Sequence, residues 1–156
     1  MKLLVAVDLS EFSEKIVFKA EEIAKALSAK VWLLHIAEPR PVDFSIAGFE
    51  PDSIGLEVDP QSLRDSLAKR FRAEHRQIQD MADRLRKAGL DATALLVQGA
   101  TVDTILKEAS KLDVDMIVVG SHGRGAMYQL LMGSVSEGVL RKSECPILVV
   151  PTHERT

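Results

Sequence analysis

The chain has 156 residues, 46% hydrophobic and 28% charged, the balance of one ordinary globular domain that needs neither disulfide nor metal to fold. Its net charge of −3 argues against a general nucleic-acid surface, which requires clustered Lys and Arg. Cys145 is the one cysteine, and no apolar run approaches a membrane span or a targeting segment, so a cytoplasmic protein without membrane or nucleic-acid partners is expected.

Apolar runs of strand length occur at Leu3–Val7, Val31–Ile36, Ala92–Val97, Met116–Val119 and Ile147–Val150. Most are rich in Val, Ile and Leu without polar alternation, which suits strands covered on both faces in a parallel sheet. Helical periodicity fills the intervals. Ile16, Ala20, Ile23, Ala24 and Leu27 mark a first apolar stripe, and Leu67, Phe71, Ile78, Met81 and Leu85 mark a second that Gly89 should end. Ile105, Leu106 and Ala109 mark a third, and a fourth helix is expected from near Gly133 through Val135, Val139 and Leu140. Gly138 falls inside it, where glycine costs about 1 kcal/mol against alanine. The alternation of strand and helix predicts an α/β sandwich with right-handed crossovers, a single domain over residues 1–151 followed by a tail at 152–156.

The second helix carries Lys69, Arg70, Arg72 and Arg76, but the spacings Arg70–Glu74, Asp80–Arg84 and Asp83–Lys87 read as a solvated, ion-paired face. Between Glu38 and Ser62 lies a stretch too long for an ordinary connection. Its prolines and glycines oppose regular structure, while Phe44, Ile46, Phe49, Ile54, Leu56 and Val58 give it too much apolar surface for a free linker. It reads as a surface excursion, a lid or a partner-contacting loop.

Ligands of open parallel sheets bind beyond the carboxyl ends of strands, where strand order reverses. Asp8 follows the first strand, and it suits either a helix cap or a carboxylate receiving a ribose hydroxyl. The fourth strand runs into Gly120-Ser121-His122-Gly123-Arg124-Gly125, and Gly133-Ser134-Val135 follows. Successive backbone N–H groups in a glycine-rich loop, with a helix start behind them, suit phosphate. Arg124 is the only fixed positive charge in the loop. No P-loop and no dinucleotide fingerprint are present.

At these residues the chain resembles the universal stress protein family. Gly120, Gly123, Gly133 and Ser134 reproduce the Gly-x2-Gly-x9-Gly-Ser/Thr pattern of its nucleotide-binding members. The opening Val5-Ala6-Val7-Asp8, the Leu33-Leu34-His35-Ile36 strand and the closing Cys145-Pro146-Ile147-Leu148-Val149-Val150-Pro151 extend the likeness over essentially the whole chain. The resemblance implies a three-layer α/β sandwich like the adenine nucleotide alpha hydrolases, with a five-stranded parallel sheet of order 3-2-1-4-5. It implies ATP, or ADP or AMP, optionally with Mg²⁺, across the first and fourth strands. Asp8 would then hold the ribose, and backbone near Val7 and Ile36 would meet the adenine. The loop from Val119 and Gly120 through His122, Gly123 and Arg124, with Gly133, Ser134 and Val135, would cradle the phosphates.

Catalytic signals are sparse. His35, His75, His122 and His153 lack zinc-motif spacing, and Cys145 before a proline reads as a small hydrophobe. His35 reads as a satisfied core or rim residue, and His122 suits either a phosphate contact or solvent. No residue stands out as a magnesium-holding carboxylate or as a group orienting a nucleophile. The sequence therefore reads as a binder, with at most slow ATP hydrolysis. Ile147, Leu148, Val149 and Val150, bracketed by prolines, fit an apolar edge strand, and the resemblance implies a homodimer through it. The expectation is a dimeric regulatory module read by a protein partner. A slow nucleotide-converting enzyme and an interaction dimer without nucleotide are the alternatives.

Overall fold

The structure is a computed structural model describing residues 1–38, 60–122 and 132–152. Along the chain come β1 (Lys2–Ala6), α1 (Ser13–Leu27), β2 (Lys30–Ala37) and α2 (Pro60–Lys87). Then follow β3 (Ala92–Gln98), α3 (Thr101–Leu112), β4 (Met116–Gly120), α4 (Ser134–Lys142) and β5 (Ile147–Val150). All pairings are parallel and the order is β3-β2-β1-β4-β5. This is the expected sheet.

Alternating residues of each strand face opposite layers, as the period of two requires. Leu3, Val5, Val31, Leu33 and Val118 meet Ile16, Val17, Ala20 and Ala24 of α1 and Ile78, Met81 and Leu85 of α2. Leu4, Leu34, Ile36, Ile117 and Val119 meet Ile105 and Ala109 of α3 and Val139 of α4. Two helices thus cover each face. A fully buried leucine or isoleucine contributes about 1.5–3 kcal/mol, so this double-sided core explains why the strands carry no polar alternation.

The helices depart from their sequence readings in several places. Val17 joins the buried face of α1, while Leu27 is exposed. Val135 and Leu140 of α4 are exposed too, and Ser136 and Val139 are its buried residues. The second helix starts earlier than its apolar stripe, at Pro60, where the fixed φ of proline suits a first helical position. Gly89 ends it as expected, with φ +90° and the Leu90 N–H reaching the Leu85 carbonyl at 3.1 Å.

The Arg70–Glu74 pair forms, at 3.6 Å. Arg84 instead hydrogen-bonds Glu14 of α1 at 2.7 Å, which raises its pKa, and Asp83 pairs with Arg86 in place of Lys87. Gly138 also has a physical reason. A Cβ there would lie 2.8 Å from Cγ2 of Val102, so the missing side chain lets α4 pack closely on α3. Of the Glu38–Ser62 excursion, only Glu38 and residues 60–62 lie within the described residues.

Candidate functional site

The chain turns back on itself between β1 and β4. From β1 it crosses outward to β2 and β3, then returns to lay β4 against the other side of β1. Val5 lies opposite Val118, so Asp8 and the loop after Gly120 leave the sheet at the same carboxyl edge. The strand reversal required for a ligand crevice is therefore flanked by the two segments singled out in the sequence.

On the β1 side, Asp8 organises a tight turn. Its Oδ1 accepts hydrogen bonds from Ser10 N–H at 3.0 Å, Ser10 Oγ at 2.6 Å and the buried Ser13 Oγ at 3.1 Å. Asp8 is thus no helix cap: Phe12 occupies that position, and the carboxylate closes an Asx turn ahead of α1. Between them Leu9 sits at φ +57°, a left-handed conformation rare for a bulky residue. Such a conformation costs about 1–3 kcal/mol and persists where its surroundings hold it. Here the three bonds to Asp8 fix both ends of the turn.

Val7 and Ile36 are buried at this edge. The Val7 N–H donates to the Leu34 carbonyl at 2.9 Å, so it is already engaged within the sheet. The Val7 carbonyl accepts from Nδ1 of His35, also at 2.9 Å, which places the proton on that ring nitrogen. His35 is therefore a core residue held through Nδ1 alone, not the fully satisfied one expected: its buried Nε2 has no hydrogen-bond partner among the described residues. Its Nε2 lies 3.6 Å from Glu74 Oε2, and Glu74 meets Arg70. Arg70 in turn donates to the Glu38 carbonyl at 3.1 Å, while the Glu38 carboxylate accepts from the Thr101 N–H at 2.9 Å and from the Thr101 hydroxyl. A continuous polar chain thus joins β1, β2, α2 and the start of α3.

On the β4 side, Val119 is buried opposite Val149, and Gly120 lies opposite Val150. A Cβ at Gly120 would come within 2.7 Å of Ile16 Cδ1 and 2.9 Å of Thr152 Cγ2, so this glycine admits close packing beneath the loop. His122 Nδ1 meets Ser121 Oγ at 3.1 Å. Gly123 and Arg124 lie outside the described residues. Gly133 is the N-cap of α4, and its N–H donates to the Ser121 carbonyl at 2.6 Å, closing the base of the loop. Ser134 and Val135 form the exposed first turn of α4, where N–H groups have no intrahelical acceptor. That turn and its dipole offer an anion what the Gly133 amide does not.

The profile of the Universal stress protein family matches residues 1–151. The chain belongs to the universal stress protein family. Among its relatives in the family, universal stress protein YxiE of Bacillus subtilis is 30% identical over 150 residues, covering 96% of this chain and 97% of that one. Universal stress protein MJ0577 of Methanocaldococcus jannaschii is 31% identical over 152 residues, covering 96% and 93%. The solved structure of MJ0577 aligns with a TM-score of 0.80 at 25% identity over 99% of this chain and 97% of that chain. A universal stress protein solved in complex with cAMP aligns with a TM-score of 0.64 at 25% identity over 98% of each chain.

Ser121, Ser136 and Thr152 are site-edge residues that the sequence analysis did not single out. Ser136 Oγ donates to the Gly120 carbonyl at 2.5 Å, and Thr152, assigned to the tail, is buried against Ser121 and His122. Ser121 lies within the glycine motif and Ser136 three residues past Gly133, so both were within reach of a pattern reading. Nothing about Pro151-Thr152 as a sequence announces its position. Among the described residues no group of His, Cys, Asp and Glu is arranged to hold a metal ion. Nor is any helix among them long and apolar enough to cross a membrane.

Proposed function

We propose that this chain binds an adenine nucleotide, with ATP as the first candidate, across the carboxyl ends of β1 and β4, and acts as a dimeric regulatory module. The observation that carries the reading is the switch-point crevice itself. A built carboxylate turn stands on one side, and a glycine loop closed onto the first turn of α4 stands on the other. The four positions Gly120, Gly123, Gly133 and Ser134 match the family's nucleotide pattern, and a relative of the same fold was solved with cAMP. Asp8 holds the ribose in this reading, and Val7 and Ile36 border the base. The adenine then meets the remaining acceptor capacity of the Val7 carbonyl, because the Val7 N–H is engaged. Phosphates lie on the loop and on the amides of Ser134 and Val135, with Mg²⁺ arriving on the nucleotide. The self-association is through β5, which among the described residues pairs on one side, with β4.

The test begins with mass spectrometry of small molecules released from freshly purified protein, followed by calorimetric titration with ATP, ADP, AMP and cAMP. An adenine nucleotide near one per chain is expected, lost in Gly123→Val. Asp8→Asn keeps an oxygen acceptor for the Ser10 and Ser13 donors but removes the charge. It should retain the fold while weakening nucleotide binding about tenfold, the scale of one charge-assisted hydrogen bond. Asp8→Ala should lower both stability and binding. A wild-type chain that is purified empty and binds none of the four nucleotides would overturn the reading.

A further inference from the structure

The line of hydrogen bonds between β1 and β2 stops one step early. Lys30 N–H donates to the Met1 carbonyl and Val7 N–H to the Leu34 carbonyl, each at 2.9 Å, so the even-numbered residues of β2 turn their backbone groups to β1. Val31 N–H turns the other way, to the Asp91 carbonyl on the β3 side at 2.8 Å. With Ala6 opposite Leu34, the next bond of a regular parallel ladder would run from the Ile36 N–H to the Val7 carbonyl. It is not made. The Val7 carbonyl accepts instead from Nδ1 of His35 at 2.9 Å, a side chain that stands on the α2 face of the sheet with its Nε2 3.6 Å from Glu74. Among the described residues the Ile36 N–H therefore meets no backbone acceptor on the β1 side, although Ile36 is only 8% exposed.

Buried backbone N–H groups are almost always paired, so a donor left over at the switch-point crevice needs an acceptor from outside the sheet. We infer that His35 is a positioning residue of the base site: its ring holds the Val7 carbonyl off the ladder and so keeps the Ile36 N–H open toward the crevice. The inference rests on the nucleotide reading above and adds to it how one base is told from another. The Val7 carbonyl retains a lone pair and the Ile36 N–H its proton, an acceptor beside a donor. The adenine edge answers them with an amine beside an unprotonated ring nitrogen. Hypoxanthine offers a carbonyl beside a ring N–H, the reverse order. His35 itself touches no ligand in this scheme.

Asparagine places its amide nitrogen near the position of Nδ1, whereas glutamine reaches the Nε2 position facing Glu74 and offers nothing to Val7. The measurements are calorimetric affinities of the full chain for ATP and inosine triphosphate, with amide hydrogen exchange at Ile36 and Leu34 in the unliganded chain. In the wild type and in His35→Asn, the Ile36 amide should exchange faster than the Leu34 amide, and ATP should be preferred over inosine triphosphate. In His35→Gln the released Val7 carbonyl should close on the Ile36 N–H and raise its protection. ATP should then bind about tenfold more weakly, the scale of one hydrogen bond, while the affinity for inosine triphosphate changes little. A wild-type Ile36 amide as protected as that of Leu34 would overturn this inference alone. So would wild-type ATP affinity in His35→Gln, or an equal loss in His35→Asn and His35→Gln. A wild-type chain binding neither nucleotide would overturn the nucleotide reading, and this inference with it.

Discussion

Gly138 shows how one residue is chosen by its neighbour in another helix. Alanine is favoured over glycine by about 1 kcal/mol in a helix interior, yet a Cβ here would sit 2.8 Å from Val102 Cγ2. Valine is stiff at χ1, so the contact cannot be relieved by a simple swing. Overpacking costs about 1–3 kcal/mol, and Gly138→Ala should lower stability by about 1 kcal/mol in urea unfolding. In a Val102→Ala background the same change should become stabilising. The sequence showed the anomaly but not its cause, because the cause lies on α3. Asp8 illustrates the same boundary. Its type and its place after β1 were legible in the chain. The Asx turn through Ser10 and Ser13 was not, since it depends on the left-handed conformation of Leu9.

At the scale of elements, most strands announced themselves as apolar runs without polar alternation because two helical layers cover the sheet. Helix faces were harder to read. Leu27, Val135 and Leu140 fit a periodic stripe yet are exposed, while the neighbouring Ser136 and Val139 take the buried face of α4. Beside the apolar contacts of Ile78, Met81 and Leu85, the joint between α2 and the sheet has a polar part that no apolar stripe announced. It consists of His35, Glu74 and Arg70, with side-chain exposures of 3%, 12% and 17%. Removing one member leaves the others charged or polar in a shielded place. Glu74→Ala should therefore cost about 3 kcal/mol, as for a broken buried pair. In a denaturation series with His35→Ala, the double variant should cost less than the sum of the two single ones. By contrast, the exposed Arg84–Glu14 bridge between α2 and α1 belongs to a class that contributes at most about 1 kcal/mol.

For the whole molecule, the family likeness covers residues 1–151, and the sheet order agrees with it. The free side of β5 remains the proposed seam between two copies. A lysine at its centre would need to be desolvated on pairing, so Leu148→Lys should shift sedimentation from dimer to monomer, with circular dichroism checking the fold because Leu148 also packs against the core. An unchanged mass would place the interface elsewhere. The crossing between β1 and β4 has a consequence of another kind. Lys2 N–H and Asp115 Oδ2 meet across 113 positions of chain, whereas β1 finds β2 after a single helix. Each doubling of a loop adds only about 0.6 kcal/mol of closure entropy, so the long crossing weighs little on final stability. It weighs more on the rate, since distant pairings form slowly. The β1–β4 line is therefore a seam between an earlier-joined and a later-joined half of the chain. A nucleotide lying across that seam would touch both sides of it and act as a clasp between them.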